Sequence, residues 1–145
     1  MKAIWNIFQA TFTATGGFLG WFLGGLDGLV YALIAFIALD YITGVMRGIL
    51  EKNLSSRIGA RGIFKKIAIL LLVGAANIID IYLVRSGNSP LRTSVIFFYS
   101  ANEGISILEN ACAVGLPVPE KLKTVLVQLR GKEKNNTKED EGGEK

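Results

Sequence analysis

The chain contains no histidine and a single cysteine, Cys112, among 145 residues. Those two scarcities exclude a structural zinc site built on Cys and His, an internal disulfide and a nucleophile–histidine catalytic pair. Proline is rare too: Pro90, Pro117 and Pro119 all lie outside the long apolar stretches. Charge is scarce and unevenly spread. Only 19% of residues are charged and 50% are hydrophobic, a balance foreign to a soluble domain. Between Ala3 and Leu39 the sole charged side chain is Asp27, whereas Glu120–Lys145 holds 13 of the 28 charged residues. The net charge of +4 does not point to nucleic acid, because the basic residues flank apolar segments instead of forming a stripe on a soluble face. No cofactor or metal is expected, and an enzyme would need a constellation of residues that is absent.

Long apolar runs are what the sequence has in place of charge. A helix crossing a bilayer needs ~20 mostly apolar residues. Four segments approach this: Ala3–Leu26, Leu29 to about Leu50, Ile67–Val84 and Thr93–Leu116. Gly24-Gly25 with Asp27-Gly28, Ser86-Gly87-Asn88-Ser89-Pro90, and Gly115 with Pro117 and Pro119 supply the breaks. The pattern predicts an all-α integral membrane protein with four transmembrane helices over residues 1–116. Three spans are the alternative, if one helix from about Gly16 to Leu39 replaces the first pair. The N-terminal run is expected not to be a cleaved signal, since it runs past signal-peptide length and no clear small-x-small cleavage site closes it. Residues 117–130 read as a short amphipathic helix on the membrane surface, with Leu122, Val125, Leu126 and Leu129 on one face. Residues 131–145 contain no apolar side chain and are expected to be disordered.

Charge asymmetry orients such a chain. Arg47, Lys52, Arg57, Arg61, Lys65 and Lys66 cluster between the second and third segments, opposed by Glu51 alone. No Lys or Arg separates the first two segments, and only Arg85 and Arg92 lie between the last two. The positive-inside rule places the basic loop and the C-terminus in the cytoplasm, with Arg57, Arg61, Lys65 and Lys66 facing lipid headgroups.

Polar side chains inside the apolar segments need a reason, since a charge at mid-bilayer costs roughly 2.5–3.5 kcal/mol. At ~100° per residue, Tyr99, Asn102, Glu103, Ser106, Glu109 and Asn110 share one arc of about 120° on the fourth segment. In the third, Lys66, Asn77 and Asp80 share a face, and in the second Asp40, Thr43, Gly44, Arg47 and Glu51 do so. Two readings follow from these edges. They line water in an assembled state, or they interlock inside a monomeric bundle with Asp80 bonded near Lys66 or to Arg47. Gly16, Gly20, Gly24 and Gly28 repeat every fourth residue, and Gly44 with Gly48 adds a shorter example. Such spacing lets helices approach closely in lipid and predicts homo-oligomers, although Gly24 and Gly28 equally suit a hairpin turn. Cys112, one turn beyond Glu109, is expected to be a small packing residue.

Two long blocks carry a resemblance. LDYITGVMRGILEKNLSSRIGARGIFKKIAILLLVGAANIID (39–80) and FYSANEGISILENACAVGLPVPEKL (98–122) resemble the central and C-terminal blocks of the phage lysis and toxin-secretion holins of Gram-positive bacteria and their phages. Gly104, after the Asn-Glu pair, departs from an expected alanine and would loosen the helix locally. The resemblance implies a non-enzymatic, phage- or prophage-encoded protein of the bacterial cytoplasmic membrane. Such a protein oligomerises, opens lesions, and lets an endolysin or a toxin cross, without needing to touch that partner. Two rivals stand beside it: a small ion channel or transporter using the same carboxylates, and an antiholin regulator.

Overall fold

The computed structural model describes residues 1–122, 124, 125 and 128. The described residues form four long helices: α1 (Lys2–Phe22), α2 (Gly28–Leu50), α3 (Ser56–Ile79) and α4 (Pro90–Val114). One π-helical turn, Asp80–Val84, continues α3 before the chain reverses. All four expected apolar segments are therefore helices. The break at Gly24–Asp27 puts two helices where the three-span alternative has a single Gly16–Leu39 helix.

Length and apolarity divide the helices. Among the described residues, α2 (23 residues) and α3 with its π turn (29 residues) are long and apolar enough to cross a bilayer. The polar groups carried by α1 (Asn6, Gln9 and three threonines) and by α4 (Arg92, Asn102, Glu103, Glu109 and Asn110) dilute their apolarity. The expectation of four spans thus holds for the number of helices but, on composition, for only two of them.

The ends of the helices follow from local chemistry. Asp27 caps α2, its Oδ1 accepting from the Val30 N–H at 3.0 Å, and the Ser55 hydroxyl does the same for Ile58 at the start of α3. Gly115 takes a left-handed conformation that closes α4, with Leu116 N–H donating to the Ala111 carbonyl. Pro90 suits the first turn of α4, but Ser89 before it adopts a left-handed conformation and makes no capping bond. That cap comes from another element.

α2 and α4 pack most extensively, with α3 against α4. The core is small: Leu23, Val30, Leu33, Ile69, Val73 and Ile96 are buried, with Phe22, Ile37, Val95 and Tyr99 packed around them. α1 buries no residue except through its last turn, where the Phe22 ring sits over Gly74 of α3. Its Trp5, Phe8 and Phe12 rings form an exposed row. Helix α4 runs unbroken through Gly104. Part of the expected 117–130 helix, and all of residues 131–145, lie outside the described residues.

Candidate functional site

In a bilayer every buried polar group needs a protein partner, because no water competes for it. The polar edges of α2, α3 and α4 meet this demand by facing one another. The first meeting point is an ion triad. Lys66 Nζ of α3 lies 2.6 Å from Asp40 Oδ2 of α2 and 2.5 Å from Glu103 Oε2 of α4. All three side chains are largely out of solvent, at 14%, 14% and 11% exposure respectively. Asn110 of α4 extends the network, donating to Asp40 Oδ1 at 3.3 Å and to the Thr43 hydroxyl at 3.2 Å. Gly44 stands beside Asn110, close enough that a Cβ would lie 3.6 Å from its amide nitrogen. One ammonium thus clamps three helices by holding two carboxylates.

The second meeting point lies at the other end of the bundle. Arg92, only 4% exposed, donates from Nε to the Leu23 carbonyl (2.5 Å), from Nη2 to the Gly25 carbonyl (3.1 Å) and from Nη1 to Asp27 Oδ2 (2.8 Å). Asn77 donates to the Trp21 and Phe22 carbonyls. Together they satisfy the orphan carbonyls at the end of α1 and lash the α1–α2 turn to α3 and α4. Asp80, buried, accepts from the Leu91 and Arg92 backbone N–H groups at 3.2 and 2.8 Å. It supplies the cap that Ser89 does not, and places a carboxylate at the positive end of the α4 dipole. The π turn that begins at Asp80 carries the chain from this cap into the reversal. The Arg92 guanidinium holds the Asp27 carboxyl below its ordinary value near 3.8, more than burial raises it.

Several expectations change. Lys66 turns inward and does not face headgroups, since the two carboxylates outcompete solvent for it; Arg57, Arg61 and Lys65 are exposed. Asp80 bonds neither Lys66 nor Arg47 but the start of α4; Arg47 instead pairs with Glu51 on the helix surface at 2.8 Å. Gly16 and Gly20 lie on α1, Gly24 sits in the turn with φ of +78°, and Gly28 opens α2, so the four do not share one helix face. A Cβ on Gly24 would collide with Asn77 Oδ1 and Arg92 Nε, so that glycine serves the latch. Gly48 packs near Leu54. Cys112 is exposed and is not a packing residue.

The stripe on α4 divides. Glu103 and Asn110 are buried in the triad network, and Tyr99 packs against the core. Asn102 and Ser106 are half-buried, and Glu109 is exposed. Arg92 carries the second cluster yet counts in the sequence only as a loop charge. A signal for it exists: it is one of two basic residues at that end, close to Asp80 and matched by Asp27. The seating of the Phe22 ring over Gly74 has no sequence signal. Among the described residues no group of acidic, Cys or His side chains converges as a metal site, and no buried side-chain polar atom lacks a partner.

A small helical bundle with apolar helices of bilayer length and an internally paired polar seam fits a membrane protein. The chain belongs to the bacteriophage holin family, whose model matches residues 17–131. It is 44% identical over 132 residues to an uncharacterised 14.9 kDa protein of Clostridium perfringens, covering 91% of this chain and 99% of that one. An uncharacterised Listeria monocytogenes protein is 46% identical over 112 residues, 77% of this chain and 79% of its own. A probable holin of Bacillus phage phi105 is 33% identical over 103 residues, 71% of this chain and 75% of its own. No solved structure matches. Holins in general are not enzymes.

Proposed function

We propose that this protein is a holin that accumulates in the bacterial cytoplasmic membrane, oligomerises and permeabilises it, so that an endolysin, or in some settings a toxin, reaches the cell wall. The observation that carries this reading is the Lys66–Asp40–Glu103 triad. It stores polar surface inside one protomer, where it is satisfied without water. Rearranging α2, α3 and α4 exchanges those partners for solvent and turns a closed bundle into one with a wet edge. Bistable packing of this kind is how small biases at a site become large structural changes. Asn102, Ser106 and Glu109 already sit at the margin of the seam, on the same side of α4 as Glu103 and Asn110. The family match and the phage relative support the lytic role. The basic loop supports a cytoplasmic C-terminus, and the exposed aromatic row of α1 supports contact with lipid or other copies.

Inducible expression with simultaneous readout of membrane potential and of leakage of a large cytoplasmic enzyme tests this. A holin collapses the potential and releases the folded enzyme together; a selective channel or transporter changes ion flux and retains the enzyme; an antiholin does neither. Glu103→Leu with Glu109→Leu is expected to abolish lysis on schedule, and a double variant that lyses on time refutes the lining role.

A further inference from the structure

A cleft of about 360 Å³ opens beside the triad, at the end of the bundle that carries the basic loop. Its floor is Asp40, Lys66, Glu103, Ser106 and Asn110, and Tyr41, Val45, Leu54 and Ile58 supply its apolar walls. It exists because α3 presents glycine there. A Cβ on Gly59 or on Gly62 would meet no atom within 4 Å. The glycines and Lys66 recur at i, i+3 and i+7, so one helix face combines open space with the charged floor.

The charges of the cleft are ordered by depth. At the floor two carboxylates share one ammonium, which leaves one negative charge in surplus. At the rim stands the exposed Lys65. The nearby Arg47–Glu51 pair neutralises itself at 2.8 Å and does not line the space. A ligand matched to this order has a cation that reaches inward, an anion close behind it, and an apolar body to lie along Val45, Leu54 and Ile58. Basic pockets between membrane helices take anionic headgroups, but here the inner surface repels a ligand that is anionic throughout.

We infer that this cleft binds the headgroup of an aminophospholipid, with its primary ammonium directed to Asp40 and Glu103, its phosphate at Lys65 and its acyl chains along the apolar wall. The inference rests on the membrane location proposed above and not on lysis, so a failure of lipid selectivity leaves permeabilisation standing. A bound headgroup bridges α2, α3 and α4 and favours the closed bundle, by the linkage that makes any ligand of one state stabilise it.

Binding to the purified full-length protein in mild detergent, by native mass spectrometry and thermal unfolding, is the test. The probes are phosphatidylethanolamine, phosphatidylglycerol, phosphatidylcholine and soluble O-phosphoethanolamine. Phosphatidylethanolamine is expected to bind about tenfold more tightly than either other lipid, a difference of about 1.4 kcal/mol, and to raise the unfolding temperature accordingly. Glu103→Gln should remove that preference and Lys65→Gln should weaken binding of all three lipids through their shared phosphate, whereas Lys52→Gln, in the same basic loop but outside the cleft, should change neither. A Cβ at Gly62 meets no atom within 4 Å, so Gly62→Leu should occupy the cleft and lose lipid binding while remaining folded. Equal stabilisation by all three lipids, tighter binding of phosphatidylglycerol, or a preference that survives Gly62→Leu overturns the proposal. Saturation by O-phosphoethanolamine at the same concentration as the lipid would assign the site to a soluble ligand and overturn the lipid source.

Discussion

Replacing Lys66 by methionine removes the one cation that holds three helices. Lys66→Met keeps the length and apolar body of the side chain, so the change is almost purely electrostatic. It leaves Asp40 and Glu103, at 14% and 11% exposure, facing each other with no countercharge. Removing one member of a buried ion pair costs about 3–5 kcal/mol, mostly because the remaining charge stays desolvated. Two stranded carboxylates put this variant at the upper part of that range. Neutralising them should reverse most of it: Lys66→Met combined with Asp40→Asn and Glu103→Gln replaces a charged seam with a polar one that still hydrogen-bonds Asn110 and Thr43. Equilibrium unfolding of the purified protein in detergent, followed by far-UV circular dichroism, reads both effects. A headgroup-facing lysine would make Lys66→Met nearly neutral, since exposed pairs are worth about 0–1 kcal/mol. A loss below about 1 kcal/mol, or a triple variant as unstable as the single one, would therefore refute the buried clamp.

Other predictions follow the same geometry. Asp80→Ala should cost about 1–2 kcal/mol through loss of the cap on Leu91 and Arg92, read as earlier hydrogen exchange in the first turn of α4. Gly74→Val should destabilise by about 1–3 kcal/mol by overpacking against Phe22, and Phe22→Ala in the same chain should recover part of it; no recovery in a thermal melt would argue against that contact. The Asp27 carboxyl lies below its ordinary value near 3.8, so its contribution is fully present above that pH and is lost as the pH falls through the lowered value. Melting temperatures across this acid range should drop more for the unmodified protein than for Asp27→Asn, and parallel curves would exclude the Arg92 link.

Helices and their ends are legible in the residues alone, and so is the face on which polar groups collect. Asp40, Thr43 and Gly44 recur at helical spacing on α2 and do form one side of the seam with Asn110. The break at Gly24-Gly25 and Asp27-Gly28 is visible as turn chemistry before any packing is known. Periodicity tells that an edge is polar and leaves open what the edge meets. Lys66 reads both as a headgroup-facing residue of the basic loop, like Lys65 beside it, and as part of a polar face with Asn77 and Asp80, and periodicity does not choose between the two. Lys66 is clamped inward and Lys65 stands at the rim, because they are about 100° apart on α3.

Arg92 shows the same division. Its place between the third and fourth apolar segments marks it as a loop charge, while its partners Leu23, Gly25 and Asp27 lie 65 to 69 residues away. A helical repeat is set by backbone geometry within a few residues, so composition and spacing reveal it. Which carboxylate receives which cation depends on the rotation and depth of whole helices relative to one another. That arrangement follows from the joint packing of Leu23, Val30, Leu33, Val73 and Ile96, to which every segment contributes and which none encodes separately.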